Sequence, residues 1–149
     1  HRNFMGYTTL PDVDMIGLGV SAISEVGGVF WQNEPKLARW GRKVEAHLPT
    51  AVKGWASTAE DRLRRDVIYG LMCNLQVDVP TIERDHGIAF DTHFAAALEQ
   101  LRPLQEAGFV ERTPQAIRVT EAGRLLVRLA AMPFDAWLEG GEGRFSRAV

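Results

Sequence analysis

Apolar residues recur at three- and four-residue spacing through most of this chain, and the pattern lapses only near its start. From Asn33 or Glu34 to about Leu48, the positions Leu37, Trp40, Val44 and Leu48 predict an amphipathic helix. Pro35 falls in its first turn, where a missing N–H costs nothing, and Pro49 ends it. Residues 50–56 read as a short extended connector. Ser57-Thr58-Ala59-Glu60 has the capping-box pattern, a hydroxyl followed three residues on by a carboxylate. The helix it opens runs to about Gln76, with Leu63, Val67, Leu71 and Leu75 stacked and Ile68 and Met72 beside them. A second helix starts at Val79-Pro80 and closes at His86-Gly87. A third is capped by Asp91 and carries Phe94, Leu98, Leu101 and Leu104 on one face; Pro103 should kink it and Gly108 end it. Phe109–Arg112 and Ala116–Val119, joined by Thr113-Pro114-Gln115, predict a hairpin. Thr120 then caps a last helix over Leu125, Leu126, Leu129 and Met132, which Pro133 breaks or kinks. Three helices, a β-ribbon and a final helix are the layout of a winged helix-turn-helix domain.

Residues 1–30 read differently. Arg2–Thr9 is rich in aromatic and β-branched residues and predicts a strand, with Gly6 allowing close backbone contact. Leu10-Pro11-Asp12 is a turn. Val13–Ser24 predicts a short buried strand that opens into a loop and carries Gly17 and Gly19, and Gly27-Gly28 stops it. Two strands this apolar would leave an unpaired edge and an uncovered face. Residues 1–30 are therefore expected to be the end of a sheet whose other strands lie outside this chain. The expected fold class is α+β, mainly helical, with a winged-helix-like domain over residues 31–149.

Composition narrows the function classes. The 149 residues suffice for one domain, or one plus part of another, and the 46% apolar and 24% charged shares suit a soluble globular chain. A net charge of −2 gives no general attraction to nucleic acid or anionic membrane, and no apolar run reaches a bilayer span. The single cysteine, Cys73, excludes an internal disulfide and any multi-thiolate metal site, and fits a reducing, cytoplasmic setting. No secretory signal pattern is visible, and without an initiator Met the chain is expected to begin inside a longer protein. The tail from Gly140 onward is flexible by composition.

Several motifs invite a chemical reading. Gly17-Leu18-Gly19-Val20-Ser21-Ala22 matches the letters of a dinucleotide fingerprint. Gly27-Gly28 cuts any following helix short, and no acidic residue is well placed for a ribose, so the match lacks its context. The glycines belong either to a glycine-bearing core strand or to backbone that approaches a small molecule. Ser21 fails as a nucleophile elbow because Ile23 stands where a second glycine is needed. His86 and His93, near Asp85 and Asp91, read as surface residues, and no metal site is expected. His47 reads as a dipole partner at a helix C-terminus, and Cys73 as a buried small hydrophobe. DNA binding is disfavoured by charge: from Thr58 to Val149 there are 11 Lys/Arg against 14 Asp/Glu. The third helix, from Asp91 to Ala107, sets Asp91, Glu99 and Glu106 against Arg102 alone.

Arg2-Asn3-Phe4-Met5-Gly6-Tyr7-Thr8-Thr9 and Gly17-Leu18-Gly19-Val20-Ser21-Ala22-Ile23-Ser24 resemble oxygen-independent coproporphyrinogen III oxidases, radical S-adenosylmethionine enzymes of haem synthesis. The resemblance continues through Leu63–Ile68, Cys73-Asn74, Val119–Arg128 and Phe145-Ser146-Arg147, and is collinear over essentially the whole chain. It implies a radical-SAM partial barrel, of which residues 1–30 would be the last strands, followed by a C-terminal helical domain. It implies a [4Fe–4S] cluster held by C-x-x-x-C-x-x-C, reductive cleavage of S-adenosylmethionine, and oxidative decarboxylation of two propionates to give protoporphyrinogen IX. The cluster motif is absent here, so the chain alone is expected to be inactive, with no catalytic residue and no bound cofactor of its own. The resemblance also implies two S-adenosylmethionine molecules, one contacted by the residues at positions Ile23 and Met5. Some relatives carry Gln at the latter, and Met5 cannot make the amide's hydrogen bonds. Coproporphyrinogen III and an electron donor are the implied partners of the whole enzyme, with no nucleic acid or membrane and a monomeric state. A winged-helix regulator and a haem-handling paralogue are the alternatives.

Overall fold

The structure, a computed structural model, describes residues 13–138 and the backbone of two short strands. These are β1 (Arg2–Asn3) and β2 (Gly6–Tyr7), which pair antiparallel. Met5 and the tail with Phe145-Ser146-Arg147 lie outside the described residues. The chain forms two compact units: one runs to Arg62, and the other takes in β1 and β2 together with the chain from Leu63 onward.

In the first unit, Gly27 and Gly28 turn a strand where the sequence pattern predicted a stop. Their φ values of 57° and 79° are the pair a two-residue hairpin turn needs, and glycine supplies them without strain. They join β3 (Ile23–Val26) to β4 (Val29–Asn33), with Val26 opposite Val29. β5 (Ala51–Ala56), expected as a connector, pairs antiparallel on the other side of β4. The order β3-β4-β5 corrects the expectation that this region finds no partner strands within the chain. The strand expected over Val13–Ser24 begins only at Ile23; among residues 13–22 Met15 alone makes a bridge, to Glu25. Between β4 and β5 lies α1 (Leu37–Glu45), shorter than the pattern suggested because Pro35 precedes it and Lys36 offers no side-chain cap. His47, in a left-handed conformation (φ 54°), turns the chain after it. α1 has no buried residue, and Leu37, Val44 and Leu48 are exposed.

α2 (Ala59–Asn74) opens with a reciprocal capping box, one residue later than expected. Thr58 Oγ1 accepts the Asp61 N–H at 3.1 Å and Asp61 Oδ2 accepts the Thr58 N–H at 2.8 Å. Leu63, Val67 and Leu71 are buried as their spacing predicts. The chain then turns at Leu75 (φ 59°) into β6 (Gln76–Asp78), where the periodicity had predicted continued helix. α3 (Val79–His86) follows as expected, its first turn capped by the Asp78 carboxylate, which accepts the Thr81 N–H at 2.9 Å. The third predicted helix is in fact two: α4 (Phe90–His93) and α5 (Ala95–Glu106). Ala89, not Asp91, is the N-cap of α4, and the Glu83 carboxylate accepts the Phe90 N–H at 2.8 Å. The break at Phe94 lets Phe90, Phe94 and Phe134 meet in the core, with the Phe90–Phe94 centroids 4.9 Å apart. α5 continues through Pro103 to Glu106.

β7 (Val110–Arg112) and β8 (Ala116–Val119) form the expected hairpin, and β6 adds to its far side in the order β6-β8-β7. Beyond them, the single helix expected over Leu125, Leu126, Leu129 and Met132 is divided. A 3-10 turn, Arg124–Leu126, leads into α6 (Val127–Ala131), and a second such turn covers Met132–Phe134. The buried residues are Ala130, Ala131 and Phe134, whereas Leu125 is 97% exposed. Loss of helical register at the two 3-10 turns moves the apolar stripe off the core side. The architecture is α+β.

Candidate functional site

Residues 13–24, which include the Gly17–Ser24 part of the resemblance, are folded against the β3–β4 hairpin by polar bonds. Met15 and Glu25 exchange both backbone hydrogen bonds at 2.7 Å, and the Asp14 carboxylate accepts the Gly27 N–H at 2.9 Å. The Gly17 N–H donates to Ser24 Oγ at 3.0 Å, and Ser24 is fully buried. A Cβ at Gly17 would lie 2.4 Å from the Ile23 carbonyl oxygen, so the close approach that this glycine permits is to the chain's own backbone. Gly19 (φ 98°) and Ser21 (φ 58°) then reverse the chain. Asn33, also buried, fixes the reversal: its Nδ2 donates to the Gly19 carbonyl at 2.8 Å and its Oδ1 accepts from Thr50 Oγ1 at 3.1 Å. The Ser21 N–H donates to the Glu34 carbonyl at 3.1 Å.

This geometry excludes the dinucleotide fingerprint. Gly17–Ala22 leads into a turn and a strand, not into a helix whose N-terminus could hold a pyrophosphate. The reversal leaves Ile23 at the start of β3, 45% exposed and opposite Gln32. Ile23 and its neighbour Ser24 point to opposite faces, one half-open and one buried.

A second feature lies on α1. Arg39, Arg42, Lys43 and Ala46 follow the spacing i, i+3, i+4, i+7 and share one face, opposite Leu37, Trp40 and Val44. With Glu34 and Leu48 they line a pocket of about 410 Å³. Glu34 is 7% exposed, and its Oε1 accepts the Lys36 N–H at 3.1 Å. The apolar periodicity of the same helix says nothing about this cluster, so sequence reasoning missed it.

In the second unit, a pocket of about 350 Å³ is lined by Asp66, Gly70, Asn74, Gln76, Asp78 and Thr81, among others. His86, expected at the surface, is largely covered, with Nε2 2.8 Å from Asp66 Oδ2. His93 is exposed and lies edge-on to Phe94. Cys73 is half-buried, less enclosed than its apolar helix suggested. Hydrogen bonds from Thr81 hold the Asp78 carboxyl below its ordinary value of 3.8. On α5, Arg102 is flanked by Glu99 and Glu106, its own helix's acids. Among the described residues no group of three His, Cys, Asp or Glu side chains could hold a metal ion. No helix among them is long and apolar enough to cross a membrane.

Residues 57–126 match the family described as the HemN C-terminal domain. The fold agrees: the solved structure of the Escherichia coli coproporphyrinogen III oxidase HemN, described as a radical SAM enzyme, superimposes with a TM-score of 0.87 at 42% identity. That superposition covers 92% of this chain and 32% of that one. The oxygen-independent coproporphyrinogen III oxidase of Salmonella typhimurium is 41% identical over 151 residues, which take in 100% of this chain and 33% of that protein. The Helicobacter pylori protein of the same name is 40% identical, over 99% of this chain and 32% of its own length. Over residues 57–126 the chain is thus similar to the HemN C-terminal domain. The chain spans about a third of the length of the curated relatives it matches.

Proposed function

We propose that this chain is the C-terminal part of an oxygen-independent coproporphyrinogen III oxidase, which converts coproporphyrinogen III to protoporphyrinogen IX by oxidative decarboxylation. The observation that carries the reading is identity near 40% over the whole chain, in collinear order, with relatives of that name. Residues 1–30 are assigned to the end of the catalytic barrel and residues 31–149 to a C-terminal domain with a winged-helix-like layout. A cluster site needs several thiolates, and this chain has Cys73 alone, half-buried on α2, so its residues do not fit a [4Fe–4S] cluster. The cluster belongs to another part of the enzyme, and no step is assigned to residues here. Ile23 suits an apolar contact with S-adenosylmethionine, because it is half-exposed and its backbone is fixed by the Gly17 and Ser24 contacts. Met5 is assigned to the same contact from the resemblance. In the whole enzyme, S-adenosylmethionine supplies the radical that takes hydrogen from the propionates. The C-terminal domain's role is to cover the barrel mouth and keep water from the reacting groups. The enzyme is assigned as a cytoplasmic monomer that draws on an electron donor.

The test is anaerobic turnover of coproporphyrinogen III by the full-length protein with S-adenosylmethionine and a chemical reductant. Protoporphyrin, read by fluorescence after oxidation, together with 5′-deoxyadenosine, is the expected outcome. Neither product from a cluster-loaded enzyme would overturn the reading. An Ile23→Asp variant should raise the KM for S-adenosylmethionine, and an unchanged KM would remove Ile23 from the site.

A further inference from the structure

The cations of this chain are not distributed evenly between partnered and unpartnered. Arg84, Arg112 and Arg124 are paired with carboxylates, and Arg102 with two of them. Arg62, Arg64 and Arg118 donate to oxygens, and Arg65 lies over Tyr69. Lys36, Lys53 and Arg128 lack an acidic partner among the described residues, as do Arg39, Arg42 and Lys43; what sets the last three apart is that they stand together on one face of α1. A chain of net charge −2 keeps three adjacent like charges there, where each raises the electrostatic cost of the others. The cluster lines a shallow, open pocket of about 410 Å³.

The walls restrict the ligand further. Ala46 and Leu48 supply apolar surface next to the cations, suiting a carboxylate carried on a short alkyl arm. Guanidinium groups match planar carboxylates through paired N–H donors. Glu34 adds one acceptor, buried and fixed by the Lys36 N–H, so three cations face one carboxylate. That balance disfavours a dense polyanion such as nucleic acid. It favours a ligand that bears carboxylates and also has N–H groups to donate. We infer that the Arg39–Arg42–Lys43 face of α1 is a carboxylate-binding subsite, which holds propionate arms of the tetrapyrrole substrate. The inference rests on the proposed function for the identity of the ligand and on the pocket for its chemistry.

The test uses the full-length enzyme and coproporphyrin III, the stable oxidised tetracarboxylate, with its tetramethyl ester as the uncharged control; binding is read by fluorescence. The wild type should bind the acid more tightly than the ester, with an affinity that falls as salt rises. The triple variant R39Q/R42Q/K43Q should weaken acid binding by about tenfold or more and leave ester binding unchanged. An Arg42→Lys variant, which keeps the charge but loses the guanidinium fork, should bind the acid more weakly than the wild type and more tightly than the triple variant, with ester binding unchanged, which separates charge loss from misfolding. Equal affinities for the acid in wild type and triple variant, an equal loss for the ester, or no binding by the wild type would each overturn the inference. Displacement of the porphyrin by inorganic phosphate as readily as by citrate would also overturn it, since the pocket would then not select carboxylates. A wild type that binds coproporphyrin as described but fails in anaerobic turnover would sink the proposed function and leave the subsite standing.

Discussion

At the scale of single residues, two side chains and one missing one do most to fix the candidate site. Gly17 has no room for a methyl group, because the Ile23 carbonyl oxygen would lie 2.4 Å from it. Gly17→Ala is therefore expected to lower stability by roughly 1–3 kcal/mol, measurable by denaturant unfolding, since backbone must move to admit the carbon. Ser24 and Asn33 are buried polar residues whose side chains bond the loop's own backbone. Asp78 gives a pH prediction. Its carboxyl is held below 3.8 by hydrogen bonding from Thr81, so its folded pKa lies under its unfolded one. The contribution is then fully present above the unfolded value and is lost as pH falls through the folded value. An Asp78→Ala variant should be less stable than the wild type at neutral pH, and the gap should close below about pH 3.8, as followed by thermal melts.

At the scale of elements, caps and turns decided which predictions held. Helix α3 was legible in full, because Asp78 and Gly87 mark its ends by chemistry that needs no tertiary partner. The β7–β8 hairpin was legible for the same reason. Strand β6 was not: Leu75 continues an i, i+4 apolar series, and only its left-handed backbone and the pairing with β8 reveal the turn. β5 was missed because all six of its residues are exposed and show no alternation. Ile23 was singled out by resemblance alone, since nothing local separates it from other aliphatic residues. The α1 cations were visible in the sequence at helical spacing, but their lack of partners is a property of the fold. The capping box of α2 makes a sharp test of register. Thr58→Ala should cost about 0.5–2 kcal/mol of stability by chemical denaturation, and Ser57→Ala much less, because the reciprocal bonds run between Thr58 and Asp61.

For the molecule as a whole, the core of the second unit sits around three phenylalanines rather than along the predicted last helix. Phe90, Phe94 and Phe134 are buried and mutually in contact, with Leu71, Leu101 and Ile117 around them. Phe134→Ala is expected to cost about 3–5 kcal/mol, whereas Leu125→Ser should leave the melting temperature nearly unchanged because Leu125 is 97% exposed. The opposite ranking would mean that the last helix packs as its periodicity suggested.

The pairing of β6 with β8 also bears on how this unit assembles. Val77 lies opposite Ile117, so their ladder closes a loop of about forty residues, while β7 and β8 meet across a turn of only a few. Loop-closure entropy grows with the logarithm of length. The short hairpin therefore has a head start, and β6 joins an edge that already exists. Contacts made so late are weak in the folding transition state and strong in the native one. Strand β6 is thus a latch: loosening it shortens the lifetime of the folded unit more than it slows the unit's formation.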